Sequence, residues 1–207
     1  MATTGQETEA KFYVRNIERI KSRVEELGAA LVQARVLETN IRFDFPGAPL
    51  RAQGRVLRLR RDTDVKLTYK SASTSEEGVL SREEIEFKVE DYEKAKRFLE
   101  ALGYRKLVYY EKYRTTYALQ PSEGLTYIML DELPYGDFVE IEGTTVDSIR
   151  GVAGQLNLRW ESAIATSYHA LFERARVSLN LSNADLSFAD LVGIKIEAAD
   201  LGVLSAD

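Results

Sequence analysis

The sequence predicts an α+β fold: a largely antiparallel sheet or barrel with helices packed on its outside. Three observations carry this. A five-residue pattern occurs twice, as Glu7-Thr8-Glu9-Ala10-Lys11 and as Glu84-Ile85-Glu86-Phe87-Lys88. Each copy is followed by an amphipathic stretch that stops at Leu-Gly, once at Leu27-Gly28 and once at Leu102-Gly103. Most extended runs alternate one apolar with one charged face, the two-residue period of a strand. The chain therefore divides into two halves, each reading strand, helix, strand, strand, strand, with a pseudo-two-fold internal repeat.

Residues 6–13 form the first predicted strand. Residues 16–27 follow as a helix, with Ile17, Ile20, Val24 and Leu27 on one face and Gly28 as its stop. Residues 30–44 are extended and end at Pro46-Gly47, a turn signal. Residues 55–61 and 64–71 are short alternating runs, and the polar stretch 71–78 reads as a loop. The second half opens with strand 82–89 and helix 91–102, with Tyr92, Ala95, Phe98, Leu99 and Leu102 on one side and Asp91 as N-cap. Strands near 104–118, 124–132 and 136–143 precede helices over 147–157 and 163–178. Residues 1–178 are thus expected as one domain, with 179–207 as a tail. The tail contains Ala-Asp-Leu at 184–186, 189–191 and 199–201, a spacing that resembles a pentapeptide solenoid. The run is too short to stack coils, and coincidence is the better reading.

The charged faces carry the functional signal. Glu7, Glu9 and Lys11 project from one side of the first strand, while Thr8, Ala10 and Phe12 project from the other. Arg58 and Arg60 oppose Leu57 and Leu59, and Lys66 and Lys70 oppose Val65, Leu67 and Tyr69. Glu84, Glu86 and Lys88 share a face, as do Lys112 and Arg114, and Glu140 and Glu142. Asp131 stands in line with Met129 and Tyr127. Two explanations fit: the wet side of an antiparallel sheet, or a closed barrel with its charges inward. The second requires that the charges pair and bind something. A polyphosphate with divalent metals meets that need, because phosphoryl oxygens take Arg and Lys donors and carboxylates take Mg²⁺ or Mn²⁺.

Composition excludes several rivals. The chain has 207 residues, 44% of them hydrophobic, enough to bury a core. The net charge of -5 argues against a nucleic-acid-coating protein. There is no cysteine, hence no disulfide, thiolate metal site or cysteine nucleophile. No apolar run reaches membrane-spanning length, and Met1-Ala2-Thr3-Thr4 has no signal-peptide character, so a cytoplasmic protein is expected. The single histidine, His169, falls in the last predicted helix and reads as core or surface rather than as a base. Gly-rich phosphate loops and Gly-x-Ser-x-Gly are absent.

Taken in order, these residues resemble the CYTH family, the triphosphate tunnel enzymes that include class IV adenylyl cyclases and thiamine triphosphatases. The resemblance covers about residues 6–175. It runs through Glu7-x-Glu9-x-Lys11, Leu57-Arg58-Leu59-Arg60, Lys66 to Lys70, Glu84-x-Glu86, Glu111-Lys112-Tyr113-Arg114, Asp131 and residues 136–142. It implies an eight-stranded antiparallel tunnel with a charged interior that binds a triphosphate and Mg²⁺ or Mn²⁺. Carried over by position, Lys11, Arg58, Arg60, Lys70, Lys112 and Arg114 grip phosphates, with Lys66 beside them. Glu7, Glu9, Glu140 and Glu142, with Asp131, hold the metals. Glu84, Glu86 and Lys88 line the tunnel, and the catalytic set is Glu7, Glu9, Lys11, Arg58, Lys112 and Arg114.

Gly136-Asp137-Phe138-x-Glu140-Ile141 and Ser167-Tyr168-x-x-Leu171 look like the class IV cyclase branch. Where that branch has Asp and Tyr in the second strand, this chain has Asn40 and Arg42, and Arg58-x-Arg60 is more similar to the phosphohydrolases. The implied activity is class IV adenylyl cyclase-like, converting ATP to cyclic AMP and pyrophosphate. The alternatives are a phosphohydrolase of tripolyphosphate, nucleoside triphosphate or thiamine triphosphate, and a non-catalytic triphosphate sensor. A monomer or homodimer is expected, without nucleic-acid or membrane partners.

Overall fold

The structure is a computed structural model that describes residues 4–120, 124–182 and 185–207. Met1, Ala2, Thr3 and Ala184 lie outside the described residues. The chain runs β1 (Thr4–Val14), α1 (Ile17–Glu26), β2 (Ala30–Asp44), α2 (Pro49–Ala52), β3 (Val56–Arg61) and β4 (Val65–Lys70). It continues with β5 (Thr74–Glu76), β6 (Val79–Lys88), α3 (Tyr92–Ala101), β7 (Arg105–Leu119), β8 (Thr126–Leu133) and β9 (Gly136–Glu142). Helices α4 (Val146–Gln155), α5 (Tyr168–Ser178) and α6 (Ala198–Leu201) complete it, with a 3₁₀ turn at Trp160–Ser162. Among the described residues, no helix is long and apolar enough to cross a membrane.

Eight strands close a ring in the order β1-β9-β8-β7-β2-β3-β4-β6, and β6 pairs back onto β1. Every pairing is antiparallel. Closure removes the sheet edges that an open sheet would expose. The internal repeat is built into the ring. Exchanging β1 with β6, β2 with β7, β3 with β8 and β4 with β9 returns the same ring read backwards, so a pseudo-two-fold axis passes through the β1/β6 and β2/β7 seams. At the first seam Gln6 faces Glu83, the two residues that immediately precede the two Glu-x-Glu-x-Lys copies.

Alternation decides what faces out. Ala10, Phe12 and Val14 of β1 join Ile128, Leu130, Val139 and Ile141, and this outer face is covered by Ile20 and Val24 of α1, Ile149 and Val152 of α4, and Leu156 just after it. Ile41, Phe43 and Leu59 form a second outer cluster under Leu99 of α3. Asp91 caps α3 as predicted, its carboxylate accepting from the Lys94 N–H at 2.9 Å. A third cluster, with Leu133, Tyr135 and Phe138, packs against Leu171 and Phe172 of α5 at one end of the ring.

Three elements differ from the sequence expectation. The polar stretch 71–78 contains β5, because Glu77 and Gly78 both take positive φ and fold Glu76 onto Val79 as a two-residue hairpin. A Cβ on Gly78 would lie 2.7 Å from the Ala163 Cβ, so the turn also needs glycine for close approach. The last long helix begins at Tyr168 rather than near 163. Ser167 caps it by accepting from the Ala170 N–H, and Ile164 instead bonds the Lys11 carbonyl at 2.8 Å. The short α2 was not foreseen.

The tail forms no solenoid coils. Leu186, Leu191 and Leu201 are buried in the third cluster, and Leu186 bonds the Tyr109 carbonyl and the Glu111 N–H at 2.9 and 3.0 Å. The Asp207 carboxylate accepts from the Arg15 and Asn16 N–H groups just before α1. Three buried leucines at roughly 1.5–3 kcal/mol each make removal of residues 179–207 worth on the order of 5 kcal/mol. The expected fall in Tm is about 10–20 °C for a chain of this size. Unchanged melting of that truncation, followed by circular dichroism, would make the tail a mere appendage.

Candidate functional site

The inward faces of the ring enclose a cavity of about 680 Å³ lined mainly by charged side chains. Each stave contributes alternate residues, so the spacing visible in the sequence becomes rows on the cavity wall. The acids and bases are sorted into three networks.

The first lies where α5 meets the ring. Lys11 reaches Glu140 at 3.0 Å. Arg114 forks onto both oxygens of Asp131, at 2.6 and 2.5 Å, and also contacts Glu140. Lys112 joins Asp131 at 3.0 Å, and the Tyr168 hydroxyl donates to the same carboxylate at 2.8 Å. The Lys11 ammonium also sits 4.3 Å from the centre of the Tyr168 ring. Burial opposes ionisation of Glu140, but Lys11, Arg114 and Lys112 outweigh it and hold the carboxyl well below its ordinary range.

The second network centres on Glu86. Lys66, Arg60 and Arg58 approach it at 2.9, 3.2 and 3.5 Å, and the Thr68 hydroxyl donates to it at 2.8 Å. Against the effect of burial, Arg60 and Arg58 lower Glu86 to about 2. Arg60 also approaches Glu38, which Lys112 meets at 3.7 Å and to which the Asn40 amide donates at 3.0 Å, linking the first two networks.

The third gathers the remaining acids. Lys70 bonds Glu7 at 2.5 Å and Glu84 at 3.0 Å, and Arg82 bonds Glu7 at 2.9 Å. Glu7 is thereby held at about 2 despite burial. Among the described residues Glu9 has one cation within 4 Å, Arg82 at 3.9 Å, and burial followed by the Glu140 charge pushes its carboxyl up. Glu142 is raised to about 7 by burial and then by Glu7, Glu9 and Glu84.

The structure thus places Glu7, Glu9, Lys11, Arg58, Arg60, Lys66, Lys70, Glu84, Glu86, Lys112, Arg114, Glu140 and Glu142 on one cavity wall. Two predicted residues stand elsewhere. Lys88 points out to Asp64 at 2.7 Å in an exposed pair. Asp131 is fully buried behind the wall, its oxygens taken by Lys112, Arg114 and Tyr168. Sequence reasoning missed Glu38, Arg42 and Arg82, which line the cavity. The signal was available: Glu38 and Arg42 keep the two-residue period of β2, and Arg82 stands two before Glu84. His169 also lines the cavity and was set aside.

The acids fit a hard divalent cation by their chemistry. They are all oxygen donors on strands, the set that suits Mg²⁺ or Mn²⁺. Carboxyls driven toward neutrality by burial and then by one another mark a place short of positive charge. No three of them converge on one point as they stand, among the described residues.

The fold and this wall can be set beside known proteins. The PH1012 protein from Pyrococcus horikoshii is 28% identical, with a TM-score of 0.65 over 78% of this chain and 96% of that one. An adenylate cyclase candidate from Vibrio parahaemolyticus superposes with a TM-score of 0.71 at 21% identity, over 83% and 99% of the two chains. A Hippeastrum adenylyl cyclase candidate, described as having a dominant triphosphatase activity, gives 0.59 at 18% identity, over 81% and 95%. Comparison with curated proteins finds no match. The family model of the CYTH domain matches residues 5–155. That stretch contains all eight staves of the ring and every predicted site residue, and the chain belongs to the CYTH family.

Proposed function

We propose that the chain is a divalent-metal-dependent phosphohydrolase that cleaves a triphosphate inside the barrel. The observation that carries this is the sorting of the cavity wall: cation rows from β3, β4 and β7 face a corner of crowded acids from β1, β6 and β9. Arg58 and Arg60 share Glu86, and Arg60 also approaches Glu38 and Asp62; the Arg58 Nε has no hydrogen-bond partner among the described residues and is free to turn to a phosphate oxygen. Lys112 and Arg114 are fixed by Asp131 from behind, which aims them without filling the cavity. Glu7, Glu9 and Glu142, with Glu140, would hold Mg²⁺ or Mn²⁺. When bound, the ion supplies neutralisation of phosphate charge and a more acidic water. The preorganised cations supply the electrostatic stabilisation on which phosphoryl transfer depends.

Cyclisation of ATP by the same wall would further need a seat for a purine. The larger aliphatic side chains that line the cavity are scattered: Val56 on β3, Leu80 on β6 and Met129 on β8, none of them part of an apolar cluster. The rings that line it, Tyr110 of β7, Tyr127 of β8 and Tyr168 of α5, stand on three separate elements, and the Tyr168 hydroxyl is bound to Asp131. Hydrolysis needs only the phosphates and a placed water, and that favours it.

The test is incubation with Mn²⁺ or Mg²⁺ and either tripolyphosphate or ATP, with the products resolved. Orthophosphate from tripolyphosphate is expected; cyclic AMP with pyrophosphate would establish the cyclase instead. Metal-dependent binding without turnover would leave a sensor. Arg58→Ala is expected to raise KM by about 10–100-fold, the worth of charge-assisted hydrogen bonds. Glu9→Gln is expected to raise the metal requirement by roughly 10–100-fold. Wild-type kinetics in both variants would remove the cavity from the chemistry.

A further inference from the structure

Most cations on the cavity wall have a carboxylate partner, but three at its α2 end do not. Arg42 of β2, Arg51 of α2 and Arg55 just before β3 line the cavity, yet no carboxylate lies within 4 Å of them among the described residues. Arg42 stands directly opposite Arg58 in the β2/β3 register, an arrangement that is destabilising for like charges. Burial and then the charges of Arg82, Arg58 and Arg51 push the Arg42 guanidinium down.

Four polar atoms here are buried without a partner: Nε of Arg42, Nε of Arg58, and both ring nitrogens of His169. Such an atom is costly to leave unmet, and native folds meet nearly all of them. His169 is held neutral, lowered to about 4 by burial and by Arg42, so it is free to donate one hydrogen bond. The acid facing it, Glu173, is bound by Arg176 through two contacts at 3.1 and 3.0 Å. The backbone that carries Arg51 is fixed as well. The buried Asp44 carboxylate accepts from the N–H groups of Phe45, Leu50 and Arg51 at 2.8, 3.0 and 2.9 Å.

We infer that this end of the cavity is a second anion subsite, which takes one phosphoryl group beyond the three gripped by the strand rows. The row Arg60, Arg58, Arg42 is continuous, since Arg42 neighbours Arg58 across the sheet and residues two apart on a strand are roughly 7 Å apart. A linear phosphate chain held at Arg60 and Arg58 runs on toward Arg42, Arg51 and His169. Guanidinium forks match the oxygens of a phosphoryl group bidentately. The preferred substrates are therefore linear polyphosphates of four or more phosphates. This rests on the phosphohydrolase reading.

Calorimetric titration without divalent metal, so that nothing turns over, separates the two. Linear tetrapolyphosphate is expected to bind the wild type about tenfold more tightly than tripolyphosphate, the worth of one added charge-assisted contact. In Arg42→Gln and in the exposed Arg51→Ala the ratio of the two affinities is expected to fall to near one. A wild-type ratio near one, with both ligands bound, overturns the subsite and leaves the triphosphate reading standing. A ratio unchanged in both folded variants also overturns it. Binding of neither ligand, both without metal and with Ca²⁺ supplied as the divalent ion, overturns subsite and reading together.

Discussion

Replacing Asp131 with alanine is expected to destabilise the fold by about 3–5 kcal/mol, because it strands buried cations without a counter-charge. Asp131 has no exposed surface, and it is the common partner of Lys112, Arg114 and the Tyr168 hydroxyl. Through Tyr168 it also ties α5 to the barrel wall, so the loss extends to the packing of Leu171 and Phe172. For a chain of this size the shift in Tm is about 6–20 °C. Asp131→Asn keeps the shape and one acceptor and is expected to lose less. The two candidate roles of this carboxylate separate cleanly. If Asp131 were chiefly a metal ligand, Asp131→Asn would melt like the wild type in chelator and lose Mn²⁺ binding. If it positions the cations, the melting falls in chelator and Mn²⁺ affinity follows only through disorder of the wall.

The contrast between Asp131 and its neighbours shows what a sequence can carry. Periodicity placed Glu7, Glu9, Arg58, Arg60 and Glu140 on one face, and closure of the ring put that face inside, as the fold-family resemblance required. Whether an inward carboxylate meets the cavity or the seal behind it depends on what packs against that end. Here α5 and the tail cover it, and nothing in the spacing of Asp131 says so. Lys88 fails for the opposite reason: it ends its strand, where its side chain turns out to Asp64. Residues 74–76 looked like loop because their pairing depends on positive φ at Glu77 and Gly78, and Glu-Gly is a weak turn signal beside Asn-Gly. His169 was discounted as a lone helical histidine; its proximity to Arg42 is a tertiary fact, created when α5 docks. Arg42 was legible as a departure from the cyclase pattern, but not as one of a set with Arg51, which is far from it in local structure.

Glu142→Gln is expected to move stability and metal binding in opposite directions. In the metal-free fold the Glu142 carboxyl titrates at about 7, against an ordinary value of 4.5, because burial and the charges of Glu7, Glu9 and Glu84 resist its ionisation. Between these two values the unfolded chain holds fewer protons than the native one, so stability falls as pH rises. The loss is complete above pH 7 and amounts to about 3 kcal/mol from this group. Glu86, lowered to about 2, works the other way: its contribution is full above pH 4.5 and disappears as pH falls toward 2. Glutamine at 142 removes the first penalty. Metal-free Glu142→Gln is therefore expected to melt about 6–12 °C above the wild type at pH 8 and close to it at pH 5. Added Mn²⁺ should stabilise the wild type at pH 8 and do far less for the variant, since binding to the native state alone raises stability. A variant less stable than the wild type at both pH values would mean that Glu142 is held by a partner rather than crowded by like charges. Equal stabilisation of both proteins by Mn²⁺ would place the ion away from this corner of the cavity.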